Sequence, residues 1–108
     1  MRYEVVLTER AERNLHSFYE WYACRSPEAA DRWFEGILQS LYSLEEAPDR
    51  CPFARENHRF PIDLRQLNYG SGKRRTHRIV FAVRPTRVVV YAIRHLAQRD
   101  LAPGDLHG

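Results

Sequence analysis

Two residues in the second half of this 108-residue sequence are placed where chemistry could be done. Arg78 sits inside the apolar run from Thr76 to Val83, and His95 ends the run from Arg87 to His95. A charge within an apolar strand is costly unless it is paired. Arg78 must therefore meet a carboxylate across the sheet, or open onto an anion such as a phosphate or an acidic peptide. A histidine titrates near neutrality and can act as a general acid; the plainer role for His95 is to cap or pair at a strand end. Lys73-Arg74-Arg75 follows a Gly-Ser-Gly turn, with Arg65 on the preceding strand-like run. This is either an electrostatic footprint for nucleic acid or a solvated loop. Other chemistries lack their patterns. His16, His58, His77 and His107 show no metal-ligand spacing, and Cys24 and Cys51 form no CxxC pair. Gly70-Ser71-Gly72-Lys73 lacks the first glycine of a phosphate loop at the required distance and opens no helix. No nucleophilic triad is discernible, and neither a metal nor a cofactor is expected.

The charge is divided along the chain. Residues 1–54 carry six basic and ten acidic side chains, a net −4, whereas residues 55–108 carry eleven and four, a net +7. Of the 17 basic residues only Lys73 is lysine. Arginine is the better planar donor to phosphate and carboxylate, so this half suits a polyanion or an acidic partner chain. No segment approaches the ~20 apolar residues that span a bilayer, and Met1-Arg2-Tyr3-Glu4 begins no apolar signal core. A cytoplasmic location without membrane association is expected, with both cysteines as free thiols.

These residues need elements to hold them. Residues 3–7 read as a strand. Thr8 follows as a helix cap, and Ala11, Leu15, Phe18 and Tyr22 recur at helical steps. Ser26-Pro27 caps and opens a second helix, whose apolar positions are Ala30, Trp33, Phe34, Ile37, Leu38, Leu41 and Leu44. It must stop before Pro48. Residues 48–63, with three prolines, read as a loop. Three strand-like runs follow, at 64–69, 76–83 and 87–95, the last two joined by the short Arg84-Pro85-Thr86 connection. The order predicts one α+β domain over residues 1–108: an N-terminal strand, a helical hairpin, then a three-stranded antiparallel run completing one sheet with the helices on one face.

An even-numbered hairpin loop would set Val83 opposite Val88, Ile79 opposite Ala92 and Arg78 opposite Ile93. Ile79, Phe81, Val83, Val88, Val90 and Ala92 then share the face given to the helices. Arg78 and His95 share the other face as diagonal neighbours about 7–8 Å apart. A one-residue slip would undo this pairing.

With the elements in place, the runs Leu64-Arg65-Gln66-Leu67, Arg78-Ile79-Val80-Phe81-Ala82-Val83 and Val88-Val89-Val90-Tyr91-Ala92-Ile93-Arg94-His95 resemble the C-terminal half of RelE/ParE toxins. Those proteins show an "LR-x-L" strand, a "YRI-x-Y" strand and a valine- and leucine-rich strand ending in "RH". Here His77 and Phe81 stand in place of the two usual tyrosines. The resemblance implies a small basic toxin of a type II toxin–antitoxin pair, held inactive in a hetero-oligomer with its cognate antitoxin.

The two branches of that family imply different targets. In the RelE-like branch, which cuts mRNA in the ribosome without a metal, Arg78 matches the strand arginine and His95 falls near the terminal acid, with Arg65 a further catalytic candidate if the chain is a ribonuclease. Glu56 and Lys73 are the candidates for the general base. In the ParE-like branch the target is DNA gyrase, and the strand residues are structural. The long helical hairpin and the "RH" ending side with ParE; the sequence also lacks a lysine cluster and a clear aromatic after His95. Lys73, Arg74, Arg75 and Arg94 are the candidates for nucleic-acid or antitoxin contact. An inactive binding module with a basic face is the third reading.

Overall fold

A computed structural model describes residues 2–106; His107, considered above, lies outside the described residues. The chain runs β1 (Glu4–Leu7), α1 (Glu9–Ala23), α2 (Pro27–Ser43), β2 (Arg65–Tyr69), β3 (His77–Val83) and β4 (Arg87–His95). Three short 3-10 turns sit at Pro48–Arg50, Asn57–Arg59 and Pro103–Asp105. This is the expected α+β order.

Local chemistry sets the helix boundaries. Thr8 Oγ1 accepts from the Ala11 N–H at 3.2 Å, and Ser26 Oγ accepts from the Ala29 N–H at 3.2 Å. Each satisfies a donor that the first turn of its helix leaves free. Pro27 takes the first helical position, where its missing N–H is no loss. α2 ends at Ser43, and Ala47 adopts a left-handed φ of 45° ahead of Pro48.

The strands form one mixed sheet in the order β1-β4-β3-β2. β1 runs parallel to β4, and the other pairs are antiparallel. Both helices pack on one face. Leu15, Trp33, Ile37 and Leu41 meet Ile79, Phe81, Val88, Val90 and Ile93 there.

The other face is also covered. Ala54 and Leu64 from the long loop, and Leu101 from the C-terminal segment, bury Val80, Ala82 and Ala92. β3 is therefore buried on both faces until Val83, which explains its continuous apolar run.

The hairpin pairing departs from the expected one. Val83↔Val88, Ala82↔Val89 and Phe81↔Val90 hold, but the register then shifts: Val80 pairs with Ala92, Ile79 with Ile93, Arg78 with Arg94 and His77 with His95. Tyr91 is the extra residue of a β-bulge. The expected partners, Ala92 for Ile79 and Ile93 for Arg78, are thus each displaced by one. Ile93 moves to the helix face and Ala92 to the opposite one. Helix α1 stabilises this bulge. Asn14 Oδ1 accepts from the Ile93 N–H at 3.1 Å, Thr8 Oγ1 donates to the Tyr91 carbonyl at 3.2 Å, and the Thr8 N–H donates to the Val90 carbonyl at 3.0 Å. Backbone groups that the bulge removes from the ladder are thereby satisfied. The consequence for function is direct: Arg78 and Arg94 lie on the loop-covered face, while His77 and His95 lie on the helix side.

Candidate functional site

Arg78 is fully buried, and so is Glu56 of the long loop. Two bonds join them in a fork: Nη1 donates to Oε1 at 2.7 Å and Nη2 to Oε2 at 2.5 Å. Nη1 also donates to Gln66 Oε1 at 3.2 Å, and the Leu101 N–H donates to Glu56 Oε2 at 2.9 Å. Burial by itself would raise the Glu56 pKa, but the Arg78 and Leu101 bonds outweigh it and bring the carboxyl down to about 2. Glu56 is thus an ionised anchor, joining the loop, the sheet and the C-terminal segment around one guanidinium. Of the two fates open to Arg78 in the sequence, the structure gives it the carboxylate.

Arg94 lies beside this pair. It is 8% exposed, and its Nη2 donates to the Arg99 carbonyl at 2.5 Å. Burial, then the neighbouring Arg78 charge, lowers its pKa. The sequence predicts that Arg94 reaches a partner from the surface; the structure buries it instead, bonded through the Arg99 carbonyl to the C-terminal residues 96–105. Those residues are fastened by Arg55, which bonds Asp100 Oδ1 at 2.6 Å and the carbonyls of Leu96 and Gln98 at 3.0 and 2.6 Å. Arg65 is half-buried: its Nη1 donates to the Cys51 carbonyl at 2.6 Å, and its guanidinium lies 4.4 Å from the centre of the Phe53 ring.

The structure does not bring Arg78 and His95 together as diagonal neighbours. The bulge puts them on opposite faces of the sheet, because the extra residue inverts which side each later β4 residue points to. His95 instead faces His77, with ring centres 5.2 Å apart. His77 is buried among Phe18, Tyr22 and Trp33. Burial first, and then His95, lowers its pKa to about 4. Lys73, Arg74 and Arg75 are exposed together on the β2–β3 turn, an accessible run of three consecutive basic residues. Among the described residues no group of three or more metal-ligating side chains converges.

A family model described as "ParE toxin of type II toxin-antitoxin system, parDE" matches residues 5–100. The chain belongs to this family. It is accordingly a type II toxin of the RelE/ParE superfamily. Solved structures share its fold. A chain of the chromosomal ParDE toxin–antitoxin system of P. aeruginosa matches with a TM-score of 0.68 at 19% identity, covering 87% of this chain and 96% of that one. A chain of the RelBE2 toxin–antitoxin complex of Mycobacterium tuberculosis matches with a TM-score of 0.50 at 23% identity, covering 88% and 99%. No curated protein sequence matches.

Set against this ParE-family fold, two features escaped the sequence reading. Glu56 was considered as a base, whereas its position fits it as the partner of Arg78. It is one of three acidic residues, with Asp49 and Asp63, in the proline-rich loop 48–63, and no spacing marks which of them reaches Arg78. His77 was passed over as a substitution for tyrosine. Its pairing with His95 becomes visible only once the bulge is placed.

Proposed function

We propose that this ParE-family toxin inhibits growth by binding DNA gyrase, without nucleolytic chemistry of its own, and that a cognate antitoxin neutralises it. The observation that carries this reading is the Arg78–Glu56 pair. Ribonucleolytic chemistry at Arg78 would need a guanidinium free to receive the phosphate, with an acid on the same side of it. Here both terminal nitrogens are committed to Glu56, the pair is buried, and His95 lies beyond the sheet. A bound phosphate would have to displace the loop around Glu56 and the segment around Leu101. Arg65, half-buried and bonded to Cys51, offers no substitute on that face.

Of the basic residues considered for function, Lys73, Arg74 and Arg75 are the exposed ones. An exposed basic turn attracts acidic surfaces, and it suits binding to gyrase or to an acidic antitoxin segment. The ParDE and RelBE2 neighbours come from toxin–antitoxin systems, which supports the antitoxin partner.

The test uses a double replacement, Arg78→Met with Glu56→Leu. Apolar residues of similar size often replace a buried ion pair at little cost in stability. The double variant should remain folded by circular dichroism and block gyrase supercoiling of relaxed plasmid as the parent does. A parent that leaves supercoiling untouched while cutting ribosome-bound mRNA, together with a folded double variant that has lost cutting, would overturn the proposal.

A further inference from the structure

A second feature lies on the helix side of the sheet, away from the Arg78–Glu56 pair and the basic turn. Ser17, Phe18, Trp21 and Tyr22 of α1 border a cleft of about 320 Å³ whose opposite side is formed by His77 and His95. Trp21 is 53% exposed at its rim. One ring plus a small substituent fits such a volume.

The hydrogen bonds fix how both imidazoles present themselves. His77 Nδ1 lies 3.4 Å from the Trp33 indole N–H, which can only donate, and 2.7 Å from Thr76 Oγ1. His95 Nδ1 accepts from the Ala97 backbone N–H at 3.0 Å, also an obligate donor. In a neutral imidazole the ring nitrogen that accepts is the one without hydrogen. Both rings therefore carry their proton on Nε2. This arrangement disfavours a metal ion at either Nε2, since a neutral metal-bound imidazole needs its hydrogen on Nδ1.

His77 Nε2 is buried and has no partner among the described residues. Buried donors are nearly always satisfied. The ring's Nδ1 edge is turned to Trp33 and Thr76, neither of which lines the cleft. Nε2 is the ring's other nitrogen, and His77 lines the cleft together with Phe18 and His95, whose ring centres lie 4.7 and 5.2 Å from its own.

We propose that this cleft binds an aromatic group carrying a neutral carbonyl oxygen, with the ring against Phe18, Trp21 and Tyr22 and the oxygen accepting from His77 Nε2–H. His95 Nε2–H is a second donor beside it. The donors select an acceptor over an amine. The apolar walls select a carbonyl over a carboxylate, whose desolvation no charge in the lining offsets. Either a free aromatic amide or an aromatic residue of a partner's peptide chain has this chemistry. The inference does not depend on the target of the toxin.

The direct test is titration of the intact, isotope-labelled protein with benzamide, benzoate and benzylamine, read in the imidazole nitrogen and α1 amide resonances. Benzamide should shift His77, His95 and Trp21 resonances and bind at least about fivefold more tightly than benzylamine, the equivalent of one neutral hydrogen bond. His77→Phe should lose about that factor for benzamide. Trp21→Ala changes only a rim residue and should weaken all three probes while the fold persists, so it serves if His77→Phe does not fold. N-acetyl-phenylalanine methylamide separates the sources. If it binds more tightly than benzamide the cleft belongs to a peptide, and if more weakly to a free small molecule. Equal binding of benzamide and benzylamine, or shifts absent from the imidazoles, would overturn the proposal.

Discussion

Replacing Glu56 by Gln would leave the Arg78 guanidinium buried against an uncharged acceptor. Removing one partner of a buried pair typically costs about 3–5 kcal/mol, whereas apolar replacement of both is near neutral. Glu56→Gln and Arg78→Met should each lower stability by about that amount in urea denaturation, and Arg78→Met with Glu56→Leu should recover most of it. Equal losses in all three variants would show that the pair does not act as a unit.

Acid should act on this molecule in two steps, both of the same sign. His77 has its pKa lowered from 6.5 to about 4 in the fold. The unfolded chain therefore binds the proton first, and stability falls as pH drops from 6.5 toward 4. Glu56 is lowered from 4.5 to about 2, so its contribution is present above 4.5 and is lost between there and about 2. His77→Phe should flatten the upper limb and leave the lower one, as read from urea midpoints at closely spaced pH values. An unchanged upper limb would assign it to another group.

At the scale of elements, the bulge in β4 decides the most. Asn14 supplies the acceptor for Ile93 at 3.1 Å. Asn14→Ala should cost about 1–3 kcal/mol through an unsatisfied buried N–H, measured by denaturation; a loss under half a kcal/mol would mean that the N–H finds another acceptor. Gly36 is a second such point. Tyr69 packs against it and donates its hydroxyl to the Trp33 carbonyl at 3.1 Å. A Cβ at Gly36 would lie 2.8 Å from Tyr69 Cζ. Alanine should therefore destabilise α2 against β2 by about 1–3 kcal/mol, despite its better helix propensity. A stabilised Gly36→Ala would show that Tyr69 moves aside readily.

The helices, their Thr8 and Ser26 caps, and the succession of three strands in the C-terminal half were legible because each rests on local chemistry: capping oxygens, apolar spacing and proline stops. The first three rungs of the β3–β4 hairpin were legible for the same reason. The bulge was not. Its stabilising group, Asn14, is 79 residues away from Ile93, and no local pattern at Tyr91 marks an extra residue. That single shift separated Arg78 from His95 and paired His95 with His77. Arg78 itself was readable as a charge needing a partner, but the choice between a carboxylate and an open anion site depended on how the 48–63 loop folds back.

At the scale of the molecule, the charge asymmetry takes on a different meaning in the fold. Of the basic residues singled out from sequence, Arg78 and Arg94 are buried, and Arg65 is half-buried and engaged. Lys73, Arg74 and Arg75 are left to face solvent. Neutralising that turn should weaken binding to an acidic antitoxin and make the remainder less sensitive to salt. Glutamines at all three positions, with affinity compared at low and moderate ionic strength, would test this; unchanged affinity would place the antitoxin elsewhere.

The two sheet faces divide the molecule's roles: the loop-covered face is an ion-paired interior, and the helix side carries the aromatic cleft. The proposal of gyrase inhibition by binding rests on the first of these. The measurement that meets this claim most directly is pulse labelling of DNA and protein synthesis in a bacterial host, during the first minutes of expressing this chain alone. DNA synthesis failing first is the predicted result. Protein synthesis failing first, with transcripts cut on the ribosome, would contradict it and would require the Arg78–Glu56 pair to open in the active toxin.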